Sequence, residues 1–376
     1  MIEVKQMQSK QEIKQFIKLP FRIYKRDPYW VPPLIFEQKH IVFNRKKHPF
    51  FEQGVGGEAV FFMVFRDGKP VGRVTAHYNR LHNEYHKVNE GFFGFFEAEN
   101  DPEAAKALFA EGEAWLRARR AMLIRGPYNY TLYDEIGMLA DGWDNEPKTP
   151  VLLEMYNPRY YLDLMAEAGY EKEVDWLAFM VHEGIKIKPV FEKIKKRLED
   201  NGYIFRHINT RKLDKEVEGL KEVVNRSWQD NWGHVPYTDK QFEAVKAAFK
   251  MIMDPRMILM VEYEGKVVAS SISLPDINPS LKKMRGRLFP FGWWYFLRAR
   301  KRTIGLRTFL FGVLPEHRNK GLDAVLVTDT IKCGRKYGYQ WADCSIIVEN
   351  NTKIIDPVVK WGGQLYRTYR IFKKNL

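Results

Sequence analysis

The chain has 376 residues, 45% of them apolar and 14% aromatic, which is core material for two domains of ordinary size and excludes a disordered polymer. Two cysteines, Cys333 and Cys344, exclude a disulfide framework and point to a reducing compartment. A formal net charge of +14 asks for an anionic partner without naming it, whether nucleic acid, an acidic membrane face or a polyphosphate.

The first residues, Met1-Ile2-Glu3-Val4-Lys5-Gln6, lack the apolar centre of a signal peptide. No apolar run reaches the ~18 residues of a spanning helix, so the expected location is cytoplasmic. Apolar strand-like residues on both sides of Asp67-Gly68 predict a hairpin. His77, His82 and His86 follow, the last two at a spacing that puts both imidazoles on one helical face. No carboxylate or cysteine pattern accompanies them, and the expectation is solvated histidines and no metal. Gly91-Phe92-Phe93-Gly94-Phe95-Phe96 reads as a strand, and 103–119 as a helix. Between them lies an acidic stretch, Glu97-Ala98-Glu99-Asn100-Asp101-Pro102-Glu103. Asn129, Asp134 and Glu135 sit in a strand-rich setting, where they contact substrate or satisfy buried backbone groups. Asn157, a helix over 161–167 and Ala168-Gly169-Tyr170 close this half.

A new amphipathic helix is predicted over 190–200. Trp228-Gln229-Asp230-Asn231-Trp232-Gly233-His234 lies between two helical patterns. Then Ile258 to Ile272 repeats the hairpin pattern around Glu264-Gly265-Lys266, with Asp276 at its end. Residues 281–302 place Phe289-Pro290-Phe291-Gly292-Trp293-Trp294-Tyr295-Phe296 between basic clusters. Such a segment suits a membrane interface over 285–302, the cover of an acyl groove, or a core helix with a charged rim. A strand over 308–313 leads through Pro315-Glu316-His317-Arg318-Asn319-Lys320-Gly321 into a helix over 324–337. Exposed N–H groups and the helix dipole make that loop an anion site, and the ligand suggested is a pyrophosphate. Cys344 to Val348 reads as a strand ending on Glu349 and Asn350. Pro357 should interrupt the helix that follows, and Gly362-Gly363 matches the earlier Gly169 in its spacing from an asparagine.

The two halves therefore echo each other, hairpin for hairpin and asparagine for asparagine. This predicts a duplication divided near 184, with a degenerate half at 1–184 and a second at 185–376. Basic residues are spread along the chain, with no zinc-finger, RNP or helix-turn-helix pattern, so no nucleic-acid partner is expected.

Val313-Leu314-Pro315-Glu316-His317-Arg318-Asn319-Lys320-Gly321-Leu322, with Asn350 and Gly362-Gly363, resembles the GNAT acyltransferase superfamily. Asp27-Pro28-Tyr29-Trp30-Val31-Pro32-Pro33, Ile124-Arg125-Gly126-Pro127-Tyr128-Asn129 and Asn231-Trp232-Gly233 are similar to the tandem-GNAT group of bacterial ceramide-synthase-like proteins. The resemblance implies two tandem α/β domains, each a mixed, mostly antiparallel sheet flanked by helices. It implies acyl-coenzyme A or an acyl-carrier protein as donor and an amine as acceptor. Val313 would pair with pantetheine through its backbone; Arg318, Asn319, Lys320, Gly321 and Leu322 would cradle the phosphates. Asp323 departs from the usual Gly or Ala, and Val358 or Val359 stands where many relatives carry a proton-donating tyrosine. The acidic stretch in the first half would repel phosphate, leaving that half unable to hold a donor.

Aminolysis of a thioester needs a base and an oxyanion donor. Glu349 is the first candidate for the base and Asp276 the second, with the Val313 N–H or a neighbour as oxyanion donor. Trp228, Asn231 and Trp232 are candidates to line the acceptor site, with Asn129 and Glu135 as further substrate contacts. The function expected is an N-acyltransferase, with a long-chain donor and lipid-like amine suggested by the subgroup. Alternatives are acetyl transfer to a small amine or protein, and a non-catalytic acyl-coenzyme A sensor.

Overall fold

The computed structural model describes residues 1–42 and 47–376; the side chains of Arg300 and Lys301, part of the basic cluster noted above, lie outside the described residues. From the N-terminus, β1 (Ile2–Gln6) leads into α1 (Lys10–Ile23), which starts at a Ser9/Glu12 capping box, and then α2 (Ile35–Val42). The predicted hairpin is β2 (Gly57–Arg66) and β3 (Lys69–Asn79), turning on Asp67 and Gly68 at φ 50° and 75°. Two positive φ values give the turn whose twist suits paired strands, which is why Asp-Gly was legible. Then come α3 (Arg80–His86), β4 (Glu90–Ala98), α4 (Pro102–Arg117), β5 (Leu123–Gly126), β6 (Met138–Asp141), α5 (Tyr161–Glu167) and β7 (Glu171–His182).

The second half runs α6 (Val190–Asp200), β8 (Tyr203–His207), α7 (Leu213–Ser227), α8 (Asp239–Ile252) and a hairpin of β9 (Ile258–Tyr263) and β10 (Lys266–Pro275). Its turn, Glu264-Gly265, has φ 48° and 76°, the same backbone as the first. There follow α9 (Asn278–Met284), α10 (Gly292–Arg302), β11 (Gly305–Val313), α11 (Leu322–Lys336), β12 (Trp341–Val348), α12 (Thr352–Lys360) and β13 (Gln364–Asn375). No described helix is long and apolar enough to cross a membrane.

The chain forms two compact units that interleave in sequence. The first comprises Met1–Leu177, Asn278–Phe296 and Arg367–Leu376; the second comprises Ala178–Ile277 and Leu297–Tyr366. In the first unit the strand order is β1-β2-β3-β4-β5-β13, all neighbours antiparallel except β4 and β5. Leu108, Phe109 and Leu116 of α4 pack on Val74 and Phe93, while Phe16 and Ile17 of α1 pack on Phe61 and Met63. The second unit has the order β8-β9-β10-β11-β12, with β11 and β12 parallel. Val223 of α7 and Val325 and Leu326 of α11 bury against Val261, Ala269 and Val313. Each sheet is thus covered by helices, as an α/β layer must be to bury its apolar residues.

Two expectations need correction. His77 and His82 are buried, not solvated: His77 stacks on Phe92 at 5.7 Å and His82 meets the same ring edge-on at 4.9 Å. Both line an aromatic layer in which an imidazole packs like any flat ring. Pro357 lies inside α12 without interrupting it, and Trp361 N–H still reaches Pro357 O at 2.9 Å. The missing Pro N–H would have met a carbonyl of the first turn, so a helix this short loses one bond and continues to Lys360.

Candidate active site

Within the second unit, β11 is the strand that carries the site. On one side it pairs with β10 from Leu306↔Pro275 to Val313↔Ala269, with Phe309 as an extra residue between Thr308↔Ser273 and Leu310↔Ile272. Such a bulge kinks the strand. On the other side it pairs with β12 over Gly305↔Trp341, Leu306↔Ala342 and Arg307↔Asp343, and among the described residues the parallel pairing goes no further. Beyond that point the two strands form a fork. Backbone groups of β11 that face it have no ladder partner there, so an extended ligand with amides of its own can bond to them.

At the open end of the fork the chain passes through Leu314 and the tight turn Pro315–His317 into α11. Asn319 and Gly321 are left-handed, at φ 61° and 93°. A Cβ on Gly321 would come within 2.9 Å of Ile194 Cγ2, so both conformation and space call for glycine. No side chain caps α11, and its first-turn N–H groups point at the loop with the positive end of the dipole. Arg318 turns inward: its Nη2 donates to Ser227 O at 2.8 Å and its Nε to Val313 O at 3.3 Å. It ties the loop to the ends of α7 and β11. Lys320 Nζ donates to the Tyr203 hydroxyl at 3.1 Å, and that hydroxyl lies 2.9 Å from His317 Nδ1. Burial, with Lys320 close by, holds the His317 imidazole below its usual range. Leu322 is buried in the core, while Asp323 and Asn319 are exposed. Asp323 therefore sits in the first turn of α11, where the dipole favours a carboxylate.

Other expected residues converge on the same fork. Trp228 caps the end of α7 and donates its indole N–H to Phe311 O on β11 at 3.0 Å. Three residues on, the Asn231 N–H bonds to Trp228 O at 2.8 Å. Its side-chain carbonyl accepts from Asn351 Nδ2 at 3.3 Å, and Asn351 precedes α12. The Trp228–His234 loop thus spans from β11 to the end of β12. Trp232 is half-buried within it. Asn351 was missed; Asn350, which carried the resemblance, is exposed. Glu349 directly follows β12, at the loop end of the fork. Asp276 is buried and its N–H bonds Gly305 O at 2.9 Å, at the opposite end of β11. Eight strand steps, about 26 Å, separate that end from Val313.

The vertex of the fork holds a buried polar group that sequence reasoning did not single out. Arg307 and Asp343 are register partners, both buried, and Ser345 Oγ donates to Asp343 Oδ2. The Ser273 and Thr308 hydroxyls lie 3.2 Å apart beside them. Burial pushes the Cys344 thiol up to about 12, with Asp343 adding to it. The available signal was a lone Asp inside an apolar strand and a lone Arg opposite it. Among the described residues no group of three or more His, Cys, Asp or Glu side chains is placed to hold a metal.

The first unit repeats this frame and closes it. The β4–β5 pairing also stops after three pairs, Glu90↔Leu123 to Phe92↔Arg125, and Phe95 and Phe96 bulge opposite Val74. Here the gap is filled by the chain itself. Tyr128 N–H bonds Phe93 O at 2.8 Å, and Asn129 Oδ1 accepts the Phe95 N–H at 2.8 Å. Asn129 Nδ2 in turn donates to Glu135 Oε2 at 2.9 Å. Asn129 and Glu135 therefore serve backbone and each other. The helix after β4 is capped too: Asp101 accepts from Ala104 N–H at 3.1 Å and from Arg66 Nη2 at 2.7 Å. Arg66 holds the Asp101 carboxyl below its usual range, so a carboxylate already occupies the place an anion would take.

The chain is 31% identical over 372 residues to the bacterial ceramide synthase of Caulobacter vibrioides, covering 97% of this chain and 95% of that protein. It is 30% identical over 379 residues to protein YghO of Escherichia coli, covering 98% and 94%. Among solved structures, a tandem GNAT protein from the clavulanic acid biosynthesis pathway matches 100% of this chain and 98% of its own, with a TM-score of 0.57 at 11% identity. At that identity the likeness speaks for the fold. No protein-family model matches.

Proposed function

The chain belongs to the family of the bacterial ceramide synthase and is a GNAT-type acyltransferase, and from that premise we propose that its second unit transfers an acyl group from acyl-coenzyme A to an amine. The carrying observation is the contrast between two forks of one design. In the second unit, among the described residues, β12 does not pair with β11 past Arg307, the Trp228 and Arg318 side chains reach β11 carbonyls there, and the helix start is uncapped; in the first, Tyr128 and Asn129 bond the strand and Asp101 caps the helix.

In this reading the pyrophosphate binds first-turn N–H groups of α11 and the loop 318–322. The pantetheine arm runs down the fork along β11, with Val313 at its entrance. The thioester then lies between β11 and β12 beneath the Trp228–His234 loop. Glu349 takes the proton of the attacking amine, directly or through a water. The amine nitrogen forms the new bond to the carbonyl carbon, a backbone N–H of β11 steadies the oxyanion, and coenzyme A leaves as its thiolate. The Arg307–Asp343–Ser345 group holds the vertex. The first unit supplies no donor site. The name of the Caulobacter vibrioides relative favours a long acyl chain and a lipid-like amine over acetyl transfer to a small one.

The test is release of free thiol from acetyl- and palmitoyl-coenzyme A across a panel of small and long-chain amines, with binding followed by thermal shift. Thiol release that requires amine, and favours the palmitoyl donor with a long-chain amine, is expected. Binding without release on any amine would leave a sensor. No binding of either donor would remove the site.

A further inference from the structure

The segment joining α9 to α10 lies outside the fork and carries a surface of its own. Its backbone is pinned inside the first unit. Met284 is buried, Ile35 N–H bonds Gly286 O at 3.0 Å, and a Cβ on Gly286 would meet the Phe21 ring at 2.6 Å. The aromatic side chains that follow nevertheless face solvent: Phe289 is 73% exposed, Phe291 74%, Trp293 42% and Trp294 45%. Phe36, next to the pinned Ile35, is exposed as well. Lys283, Arg285 and Arg287 flank this patch, all exposed.

Four exposed aromatics within six consecutive residues, on a pinned backbone, mark a contact surface rather than a stray loop. Tryptophan suits the boundary between water and hydrocarbon, because its ring is apolar and its N–H is wet. The basic side chains choose the sign of the partner. Leu297, one helical turn after Trp293, is exposed too and argues against a nucleic acid, since bases stack on rings and not on an aliphatic side chain. We propose that this segment docks the protein on an anionic lipid bilayer. Phe289, Phe291, Trp293 and Trp294 enter the interface, and Lys283, Arg285 and Arg287 pair with headgroup phosphates. The proposal is independent of which donor and amine the fork accepts.

The experiment is co-sedimentation of the full chain with vesicles of phosphatidylcholine alone or mixed with phosphatidylglycerol. Binding to the mixed vesicles only, weakened by salt, is expected. Phe289→Ser/Phe291→Ser should abolish it. Arg285→Gln/Arg287→Gln should weaken it on the order of thirtyfold, at roughly a fivefold factor for each basic residue near the surface. Both variants should keep the wild-type melting temperature and the wild-type thiol release with a soluble donor, which separates loss of docking from loss of the fork. The proposal is overturned by no binding to mixed vesicles, by equal binding to both kinds, or by variants that bind as wild type. It is overturned equally by a dimer that the Phe→Ser pair dissolves, or by a single-stranded oligonucleotide that displaces the vesicles.

Discussion

Two carboxylates compete for the role of base, and their places on the strands separate them. Glu349 lies at the loop end of β12, whereas Asp276 is buried where β10 ends, bonded through its N–H to Gly305 O. Glu349→Gln keeps the shape and removes the basicity. It should lower kcat/KM by about a hundredfold or more while acyl-coenzyme A still shifts the melting temperature as in the wild type. Asp276→Asn should do the reverse, lowering the melting temperature and sparing kcat within a few-fold. Equal losses of kcat in both would remove Glu349 from the mechanism. Two histidines, the half-buried His48 and the buried His77, give a second test at this scale. Burial holds His48 down to about 4 and His77 to about 3, so both stay neutral in the folded protein. The unfolded chain takes up those protons near the ordinary value of about 6.5, so stability is whole above that and drains as the pH falls toward the folded values. By about pH 4 the loss should reach a few kcal/mol. A melting temperature flat from about pH 7 to about pH 4 would contradict this, as would a His77→Leu variant that falls as steeply as the wild type.

At the scale of elements, the join between β11 and α11 is the part most exposed to test. Gly321→Val adds a Cβ at φ 93° and against Ile194. Strain of about 1–3 kcal/mol is expected, and it should displace the loop enough to weaken donor binding more than it lowers stability. Isothermal titration with coenzyme A, set beside thermal melting, reads both; unchanged affinity would mean that the anion binds elsewhere. What was legible here was local. Asp67-Gly68 and Glu264-Gly265 marked both hairpins, and α5 and α6 fell on 161–167 and 190–200; glycine at 321, expected for close approach to a phosphate, has a left-handed φ and Ile194 beside it. What was not legible depended on distant partners. Nothing around Arg318 tells that its guanidinium bonds Ser227 O, 91 positions away, instead of facing outward. The link from Asn231 to Asn351 joins residues 120 apart, and nothing local to either marks it. The same holds for Asn129: its acceptor role toward Phe95 N–H needs the β4 bulge, which no periodicity reveals.

Across the whole molecule, two frames meet the same backbone problem in different ways. Each has a parallel pair that stops after three residues beside a bulge, and each must find partners for the groups this leaves unpaired. The first unit finds them within its own chain, through Tyr128, Asn129 and the capped start of α4. A frame closed in that way has its strand and helix-end groups satisfied without a ligand. The second, among the described residues, leaves β11 unpaired with β12 beyond Arg307, with Trp228 and Arg318 taking the Phe311 and Val313 carbonyls. The two units should therefore answer differently to loss of one polar side chain. Asn129→Ala leaves the Phe95 N–H without its acceptor, and should cost about 1–3 kcal/mol of stability while donor affinity stays within a factor of two. Arg318→Ala releases the loop from Val313 and Ser227, and should weaken acyl-coenzyme A binding by roughly tenfold or more. Combined, the two effects should add, because the residues share no partner. If Asn129→Ala instead abolished donor binding, the closed frame would be part of the donor site, and the division of labour between the two copies would fall.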